Sequence, residues 1–326
     1  MSKIHHDVLT AAAQDALRAP SVLNTQPWRW RIDADVLELH ADRDRQLPVA
    51  DPGGRLLLLS CGATLHHARI AMAAAGWSAQ VRRMADTFTD DLLARILVGA
   101  PKQSSADERA MHQAIDRRRT DRRPFGDEPV PPEAVQKLVA AAEAEQTKLH
   151  RVPIGQMPIL AIAAAAGDAE MSDPQYRGEL MRWANRPSWS GDSVPADTIV
   201  RRVPRRVPVR ELTMPPQEGM TVQPGGDRGA AYFVLFGDGD DAPDWLRAGE
   251  ALSAVLLTAV ALGLSVAPIS DVIEVAHPRE LVRGLLAGRG HPYIVLRCGL
   301  GGPTEDLATA PRRDPAEVIR ERSDPQ

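Results

Sequence analysis

Apolar residues first recur at the spacing of an amphipathic helix and then at the spacing of strands. Residues 5–18 carry an apolar stripe with helical periodicity, and Pro20 prevents the helix from continuing. Apolar and polar residues then alternate over 28–32 and 36–40, joined by a short polar connection. We therefore expect a helix followed by a β-hairpin at the start of the chain.

Two longer segments are apolar nearly all round, which is typical of helices buried on several sides. The first covers about 55–75, and the second covers 249–262. Each of them is followed by a strand-like segment and then by a second strand that ends in glycine. These second strands are 93–99 and 293–299. At an offset of 187, five identities relate the two segments: Gly62/Gly249, Leu65/Leu252, Ala74/Ala261, Gly76/Gly263 and Ser78/Ser265. We interpret this pattern as a diverged internal duplication, with halves 1–112 and 113–326.

The second half contains further predicted elements and one unusual segment. Helices are expected over 105–117, from Pro131 or Pro132 to about 144, and over 170–186, with a strand at 232–236. Residues 185–228 are rich in proline and glycine, which excludes a regular helix or a central strand. A connection of this length indicates a functional lid or a disordered segment.

Composition narrows the class of protein. The chain has 326 residues and a net charge of -4, so it lacks the overall basic character that nucleic-acid binding favours. Cys61 and Cys298 have no metal-ligand spacing and are expected to be buried thiols. The N-terminus does not read as a signal peptide, and the most apolar run, 251–264, is too short to span a bilayer. A soluble, cytoplasmic protein is expected.

Several residue groups have both a chemical and a structural interpretation. The run 118–123 could be a phosphate clamp, because guanidinium groups fit phosphate oxygens in pairs, or a solvated basic turn, which charge alone favours. Arg312 and Arg313 form a second, weaker candidate. His66, His67, Trp28 and Trp30 are interpreted as core residues, and no metal site is expected. The arginines of the lid segment are interpreted as a solvated loop: Arg201, Arg202, Arg205, Arg206 and Arg210.

No dinucleotide-binding GxGxxG motif, phosphate-binding P-loop or nucleophile elbow occurs, so a bound organic cofactor is the leading enzymatic option. The segment Ala19-Pro20-Ser21-x-x-Asn24-x-Gln26-Pro27-Trp28 resembles the signature loop of FMN-dependent nitroreductases. Arg118-Arg119-Thr120-x-Arg122 resembles the Arg-Arg-Ser-x-Arg motif of that family. Further segments resemble its Acg-type actinobacterial branch: 51–55, 60–63, Trp183 and 311–315. The resemblance covers nearly the whole chain.

The resemblance implies an α+β fold, duplicated in tandem, with mixed and antiparallel sheets flanked by helices. In the family each flavin lies between two subunits, one supplying the loop and the other the arginine motif. Here each motif occurs once, in different halves, which implies a pseudo-dimer with one FMN per chain. By the same resemblance, Arg118, Thr120 and Arg122 hold phosphate and ribityl, and Arg312 or Arg313 completes the phosphate cage. The loop contributes cofactor-binding residues Pro20, Ser21, Asn24 and Gln26.

The implied function is reduction of nitro or quinone compounds by NAD(P)H, in which the cofactor does the chemistry and no catalytic side chain is expected. The alternative is a protein that sequesters FMN beneath a closed lid over 185–228, without turnover. A third option, an anion- or nucleic-acid-binding module, is disfavoured by the net charge. The sequence leaves open whether the chain is a monomer or a homodimer.

Overall fold

The computed structural model describes residues 3–85, 91–192, 194–195, 198, 205–210, 226–302 and 307–321. The helices are α1 Lys3–Ala16, α2 Arg55–Ala74, α3 Ala106–Arg117, α4 Pro132–Ala144, α5 Met157–Ala169, α6 Pro174–Ala184, α7 Ala242–Ala261, α8 Asp271–Glu274, α9 Ala276–Leu285 and α10 Pro315–Val318. The strands are β1 Trp28–Asp33, β2 Val36–Ala41, β3 Trp77–Arg83, β4 Leu92–Pro101, β5 Lys148–Arg151, β6 Ala231–Gly237, β7 Ser265–Ile269, β8 His291–Gly299 and β9 Ile319–Glu321. The fold is of the predicted α+β class.

The two sheets share one strand order. The first runs β3-β4-β2-β1-β9 and the second runs β7-β8-β6-β5, so the second repeats the first without β9. All pairings within the repeated part are antiparallel, whereas β9 lies parallel to β1. This matching topology agrees with an internal duplication. The division between residues 112 and 113 stays a prediction, and it falls inside α3.

The helices α2 and α7 cross at two glycines that the offset of 187 relates to each other. A Cβ on Gly62 would lie 2.8 Å from the Gly249 Cα, and a Cβ on Gly249 would lie 2.7 Å from the Gly62 Cα. Each would also meet the carbonyl oxygen of Leu246 or Leu59, which are likewise 187 residues apart. The crossing is therefore nearly symmetric, and any side chain at either glycine would force the helices apart.

Two helices begin at residues other than those predicted, because N-capping side chains determine where they start. The helix predicted at 249–262 begins earlier, at Ala242, because Asp241 and Asp244 form a capping box. The helix predicted over 170–186 is interrupted, and α6 begins at Pro174 with Asp173 as its N-cap. The hairpin is confirmed, with Trp28 opposite Ala41 in an antiparallel pair.

The core residues that sequence singled out are buried. Trp28, Trp30, Cys61 and Cys298 are at most 1% exposed. His66 is 2% exposed, and its Nδ1 lies 2.8 Å from Ser253 Oγ. The helix α2 is long and apolar enough to cross a membrane, but 94% of its apolar window is buried inside the protein. We therefore interpret it as a core helix.

The halves differ most between their first two strands. In the first half, β1 and β2 are joined by Ala34 and Asp35 alone. In the second half, residues 152–230 separate β5 from β6 and contain α5, α6 and the segment 185–228. This insertion brings part of the chain to the site described next.

Candidate functional site

The loop between α1 and β1 holds several residues in an unfavourable backbone conformation. Leu23, Asn24 and Gln26 have φ of 46°, 56° and 47°, which side chains with a Cβ seldom adopt. The Ser21 Oγ accepts a hydrogen bond from the Gln26 backbone N at 2.9 Å, and the Val22 N donates to Ser60 Oγ at 3.3 Å. Such strain persists only where the surroundings enforce it, and it concentrates at functional sites.

This loop forms one wall of a long cleft, and the arginine motif forms the opposite wall. Pro20, Ser21 and Leu23 line both a basic end and an apolar end, as do Thr120 and Arg122. Thr120 reaches this position because it pairs in parallel with Val266 of β7. The fold therefore brings together two motifs that lie about a hundred residues apart in the sequence.

The basic end contains Arg118, Arg122 and Arg312, and within the described ranges no carboxylate forms a salt bridge with any of them. Burial, with Arg119 nearby, lowers the pKa of Arg118 to about 10. Burial lowers the pKa of Arg122 to about 10, assisted by Arg297, and that of Arg312 to about 9, assisted by Arg118. These are buried cations without a salt-bridge partner in the part of the chain that the structure describes.

Unused hydrogen-bond donors point to the same conclusion. The Nε atoms of Arg118 and Arg312 are buried and have no hydrogen-bond partner among the described residues. Arg122 donates to the Thr198 Oγ1 at 3.4 Å, a long bond that an acceptor of higher charge could replace. A buried donor without a partner is costly, and arginine binds phosphate through paired charge-assisted hydrogen bonds. The basic end therefore fits a phosphate group.

Asn24 and Arg312 join the loop to the C-terminal segment. The Asn24 Nδ2 donates to the Pro311 carbonyl oxygen at 3.0 Å, and Arg312 donates to the Asn24 Oδ1 at 3.3 Å. The Arg313 guanidinium is instead directed to the Gln26 carbonyl oxygen and to Asp42. Of the two arginines that sequence left open, Arg313 forms a salt bridge with Asp42, whereas Arg312 forms none with a carboxylate of the described residues.

Gln26, which the family resemblance implies as a cofactor-binding residue, is held by hydrogen bonds beneath the loop. It is 1% exposed, and it does not line the cleft. Its Nε2 donates to the Gly191 carbonyl oxygen at 2.8 Å, and its Oε1 accepts from the Arg313 backbone N at 3.0 Å. The side chain thus ties the loop to the insertion and to the C-terminal segment, and it positions the cleft without facing it.

The apolar end lies between the two crossing helices and β7. Leu56 and Leu59 of α2, Leu252 of α7 and the segment 267–271 line it. An apolar space beside a group of buried arginines suits a flat ring carried on a phosphorylated chain.

The described part of the predicted lid reaches the apolar end. Val209 and Arg210 line it, and Arg210 forms a salt bridge with Glu274 at 2.9 Å. Burial alone would lower the pKa of Arg210, but Glu274 and Asp271 hold it above its usual value. Much of the lid prediction lies outside the described residues, including Arg201, Arg202 and 211–225. Closure of the lid therefore stays a prediction.

The lid is also anchored at the basic end. Asp192 is 1% exposed, and it forms salt bridges with Arg45 and, at 2.7 Å, with Arg186. Both guanidinium groups lie over the ring of Trp183. Trp189 is 85% exposed, so it is a surface residue at the rim and does not cover the cleft.

Sequence reasoning missed two residues of the site. Arg297 is 1% exposed, and it donates to the carbonyl oxygens of Asp121 and Arg123 at 2.7 and 2.8 Å, which holds the arginine motif in place. Asp271 lines the apolar end, and burial raises its pKa to about 6. A charged residue within the apolar run of β8 was an available signal for Arg297, whereas nothing local marks Asp271.

The chain matches no protein-family model. Curated relatives match it over most of their length. It is 38% identical over 315 residues to "Putative NAD(P)H nitroreductase Rv3131" of Mycobacterium tuberculosis, covering 93% of this chain and 88% of the relative. It is 33% identical over 321 residues to "Putative NAD(P)H nitroreductase acg" of the same organism, covering 97% and 96%.

Solved structures are more distant. A putative nitroreductase from Desulfovibrio desulfuricans in complex with FMN is 19% identical, with a TM-score of 0.36, over 66% of this chain and 98% of that chain. The FMN-dependent nitroreductase NfnB from Mycobacterium smegmatis in complex with NADPH is 16% identical, with a TM-score of 0.41, over 64% and 96%. The curated relatives, at 33–38% identity over most of both chains, show the family.

Proposed function

The chain belongs to the nitroreductase family that includes Acg, and on that premise we propose that it binds one FMN and reduces nitro or quinone compounds with NAD(P)H. The observation that carries the proposal is the pairing of an arginine cage with an apolar space, both walled by the strained loop and the arginine motif. A cytoplasmic location stays a prediction.

In this proposal Arg118, Arg122 and Arg312 hold the phosphate, because their buried guanidinium groups lack carboxylate partners among the described residues. Pro20 and Thr120, which line both ends of the cleft, contact the ribityl chain. The apolar end excludes water from the ring. FMN supplies the hydride chemistry, and the protein positions the reactants and sets the access.

The visible spectrum of purified protein and a flavin titration test the binding. We expect one FMN per chain, and we expect Arg118→Ala combined with Arg122→Ala to release it, because two phosphate ligands are lost. The matched control is Arg109→Ala, an exposed arginine on α3, the helix that leads into Arg118. Two flavins per chain, or unchanged occupancy in the double variant, would contradict the proposal.

A second function, holding FMN without turnover, is favoured by the lid contacts at the apolar end. Val209 and Arg210 line the apolar end, and the Arg210–Glu274 salt bridge fastens Arg210 there. A lid that opens would gate the reaction, whereas a lid that stays closed would prevent it.

Anaerobic mixing separates these functions. Bleaching of the flavin band by NADH or NADPH supports the reductase, and bleaching by dithionite alone supports the holding protein. In the second case, Arg210→Ala is expected to restore reduction by NAD(P)H, because it removes the salt bridge that fastens the lid. If Arg210→Ala remains inert, the lid is not what excludes the nicotinamide.

A further inference from the structure

Trp183 lies near the end of α6 and belongs to the segments that carry the family resemblance, yet the proposed function gives it no role. The guanidinium carbons of Arg45 and Arg186 lie 5.2 Å and 4.7 Å from the centroid of its ring. Both arginines form salt bridges with the buried Asp192. Burial would raise the pKa of Asp192, but Ser190 and the two arginines hold it below its usual value. We call Arg45, Trp183, Arg186 and Asp192 the Trp183 cluster.

The Trp183 cluster contacts the loop between α1 and β1 directly. The Arg45 Nε donates a hydrogen bond to the Thr25 carbonyl oxygen. The carbonyl oxygen of Gly191, the residue before Asp192, accepts a hydrogen bond from Gln26 Nε2 at 2.8 Å. Thr25 and Gln26 are at most 1% exposed, so the loop is held through its buried residues.

The segment that carries Asp192 also lies close to the C-terminal segment. Gly191 has a φ of 72°, and a Cβ at this position would lie 2.7 Å from the Arg312 carbonyl oxygen. Arg312 in turn donates a hydrogen bond to the Asn24 Oδ1 of the loop. The backbone beside Asp192 is therefore packed against both the loop and an arginine of the basic end.

The loop needs such support because its backbone is strained. Leu23, Asn24 and Gln26 have positive φ, a conformation that persists only where the surroundings enforce it. The two hydrogen bonds from the Trp183 cluster and its neighbour Gly191 fall on Thr25 and Gln26, within this strained stretch. Without them we expect the loop of the flavin-free protein to populate other conformations.

We propose that Asp192 is a positioning residue for the cofactor. It holds Arg45 and the Gly191 carbonyl oxygen in place, and these keep the loop in the conformation that binds FMN. None of the four residues of the Trp183 cluster lines the cleft, so Asp192 acts through the loop and does not touch the cofactor. The identity of the cofactor rests on the proposed function, whereas the support of the loop does not. The insertion between β5 and β6 thereby supports a loop of the first half, apart from any closure of the lid.

A matched pair of arginine variants tests the proposal by titration with FMN. Arg45 and Arg186 both pair with Asp192, but Arg45 also donates to the loop, whereas Arg186 donates to no loop atom among the described residues. If Arg45→Met leaves about a tenth of the molecules in the binding conformation, the dissociation constant of FMN rises about tenfold. Arg186→Met should leave the constant close to that of the wild type.

Asp192→Asn should weaken FMN binding at least as much as Arg45→Met, because the Gly191 carbonyl oxygen loses its support as well. Should Asp192→Asn fail to fold, Arg45→Met decides the outcome, since it leaves Asp192 paired with Arg186. Wild-type affinity in Arg45→Met, or an equal loss of affinity in Arg45→Met and Arg186→Met, would overturn the proposal.

Hydrogen exchange of the flavin-free protein measures the loop itself. The Gln26 N–H donates to Ser21 Oγ at 2.9 Å, and the Thr25 N–H donates to the Val22 carbonyl oxygen at 2.9 Å. Protection of these two amides therefore reports the loop conformation. Arg45→Met should raise exchange within residues 19–28 and leave the rest of the chain close to the wild type.

The control for general destabilisation is Glu38→Gln, which alters another buried carboxylate. Glu38 accepts hydrogen bonds from Arg31 and Arg95, each at 2.8 Å, and it does not line the cleft. This variant should keep the loop protected even if it loses stability. Unchanged loop exchange in Arg45→Met would overturn the proposal. Because the measurement needs no flavin, it tests the support of the loop even if the wild type binds no FMN, a result that would contradict the proposed function instead.

Discussion

The two sides of the α2–α7 crossing correspond by the offset of 187, yet only one of them is a cleft. Leu252 and Ser270 line the apolar end, and their counterparts on the other side are Leu65 and Arg83. Arg83 donates two hydrogen bonds to the Glu250 carboxylate, at 2.6 and 2.9 Å. The side lined by Leu252 and Ser270, which we call the open side, has a cleft. The side of Leu65 and Arg83, which we call the closed side, has a salt bridge instead.

Carboxylates neutralise the arginines on the closed side. Arg69 donates to Glu145 and to Glu250, each at 2.7 Å, and Glu250 is fully buried. Burial would lower the pKa of Arg69, but Glu250 and Glu145 raise it above its usual value. Glu145 lies in the three-residue turn that joins α4 to β5. The corresponding connection in the first half, between α1 and β1, is the longer loop that contains Pro20.

On the open side, no carboxylate among the described residues forms a salt bridge with Arg118 or Arg312, and burial and neighbouring arginines hold the pKa values of both below the usual value. The comparison teaches that carboxylates decide what a buried arginine does. With them it closes a space and becomes structural, and without them it is ready for an external anion.

The largest loss of unfolding free energy is expected from Glu250→Ala on the closed side. It leaves Arg69 and Arg83 without their buried partner, and breaking such a pair costs about 3–5 kcal/mol of unfolding free energy. Urea unfolding measures this loss. The control, Glu280→Ala, removes an exposed partner of Arg283 and should change little. Equal losses in both variants would show that the closed side is not a buried network.

Inorganic phosphate should stabilise the protein against unfolding by binding on the open side and not on the closed side. For flavin-free protein, saturation a hundredfold above the dissociation constant adds about 2.7 kcal/mol to the unfolding free energy. Arg312→Met should abolish this gain, whereas Arg83→Met should keep it, after each variant is compared with itself without phosphate. A gain that survives Arg312→Met, or one that disappears in Arg83→Met, would reverse the assignment of the two sides.

Asp271 gives the open side a titrating carboxylate at a position where the closed side has Met84. Its pKa is raised from 3.8 to about 6, mainly by burial and by Glu274, while Arg210 opposes the rise. The folded protein therefore binds the proton more tightly than the unfolded chain, and stability falls as pH rises from about 4 to 6.

Asp271→Asn is expected to reduce that fall by about 1–2 kcal/mol, measured by unfolding at several pH values. Part of the slope should remain, because burial raises the pKa of Asp51 to about 6 in the same window. A variant with the slope of the wild type would show that Asp271 does not titrate there.

The smallest change in unfolding free energy is expected from Arg118→Met in flavin-free protein. Removing a cation that lacks a described carboxylate partner should leave stability unchanged or raise it by about 1 kcal/mol, because burial and Arg119 oppose its charge. Chemical unfolding of this variant beside Glu250→Ala measures the contrast. A loss as large as that of Glu250→Ala would mean that Arg118 has a structural partner.

Local patterns predicted those elements whose stabilising groups are close in sequence. The hairpin that begins at Trp28, the helix that begins at Arg55 and the helix that begins at Pro132 could be read from spacing, turns and proline placement. The start of α7 was missed because Asp241 and Asp244 cap it ahead of its apolar run. The helix α5 was missed because its alanine-rich sequence has little contrast between faces.

The candidate site shows the same limit. The Pro20–Asn24 loop and the Arg118–Arg122 motif were recognised from their residues, and both line the cleft. The burial of Gln26 beneath the loop could not be predicted, nor could the choice between Arg312 and Arg313. Both follow from hydrogen bonds to Gly191 and Asp42, which are distant in the sequence.

The sequence by itself determined the repeated apolar helices and the single occurrence of each motif, because periodicity and local residue types carry that information. The α+β class followed from the family resemblance that those motifs carry. Only the tertiary structure decided which side of the α2–α7 crossing is open. That choice depends on whether carboxylates reach the buried arginines, and Glu250 reaches Arg83 across 167 residues of chain. Whether a buried arginine is paired with a carboxylate depends on their distance in the folded protein, and the order of residues does not give that distance.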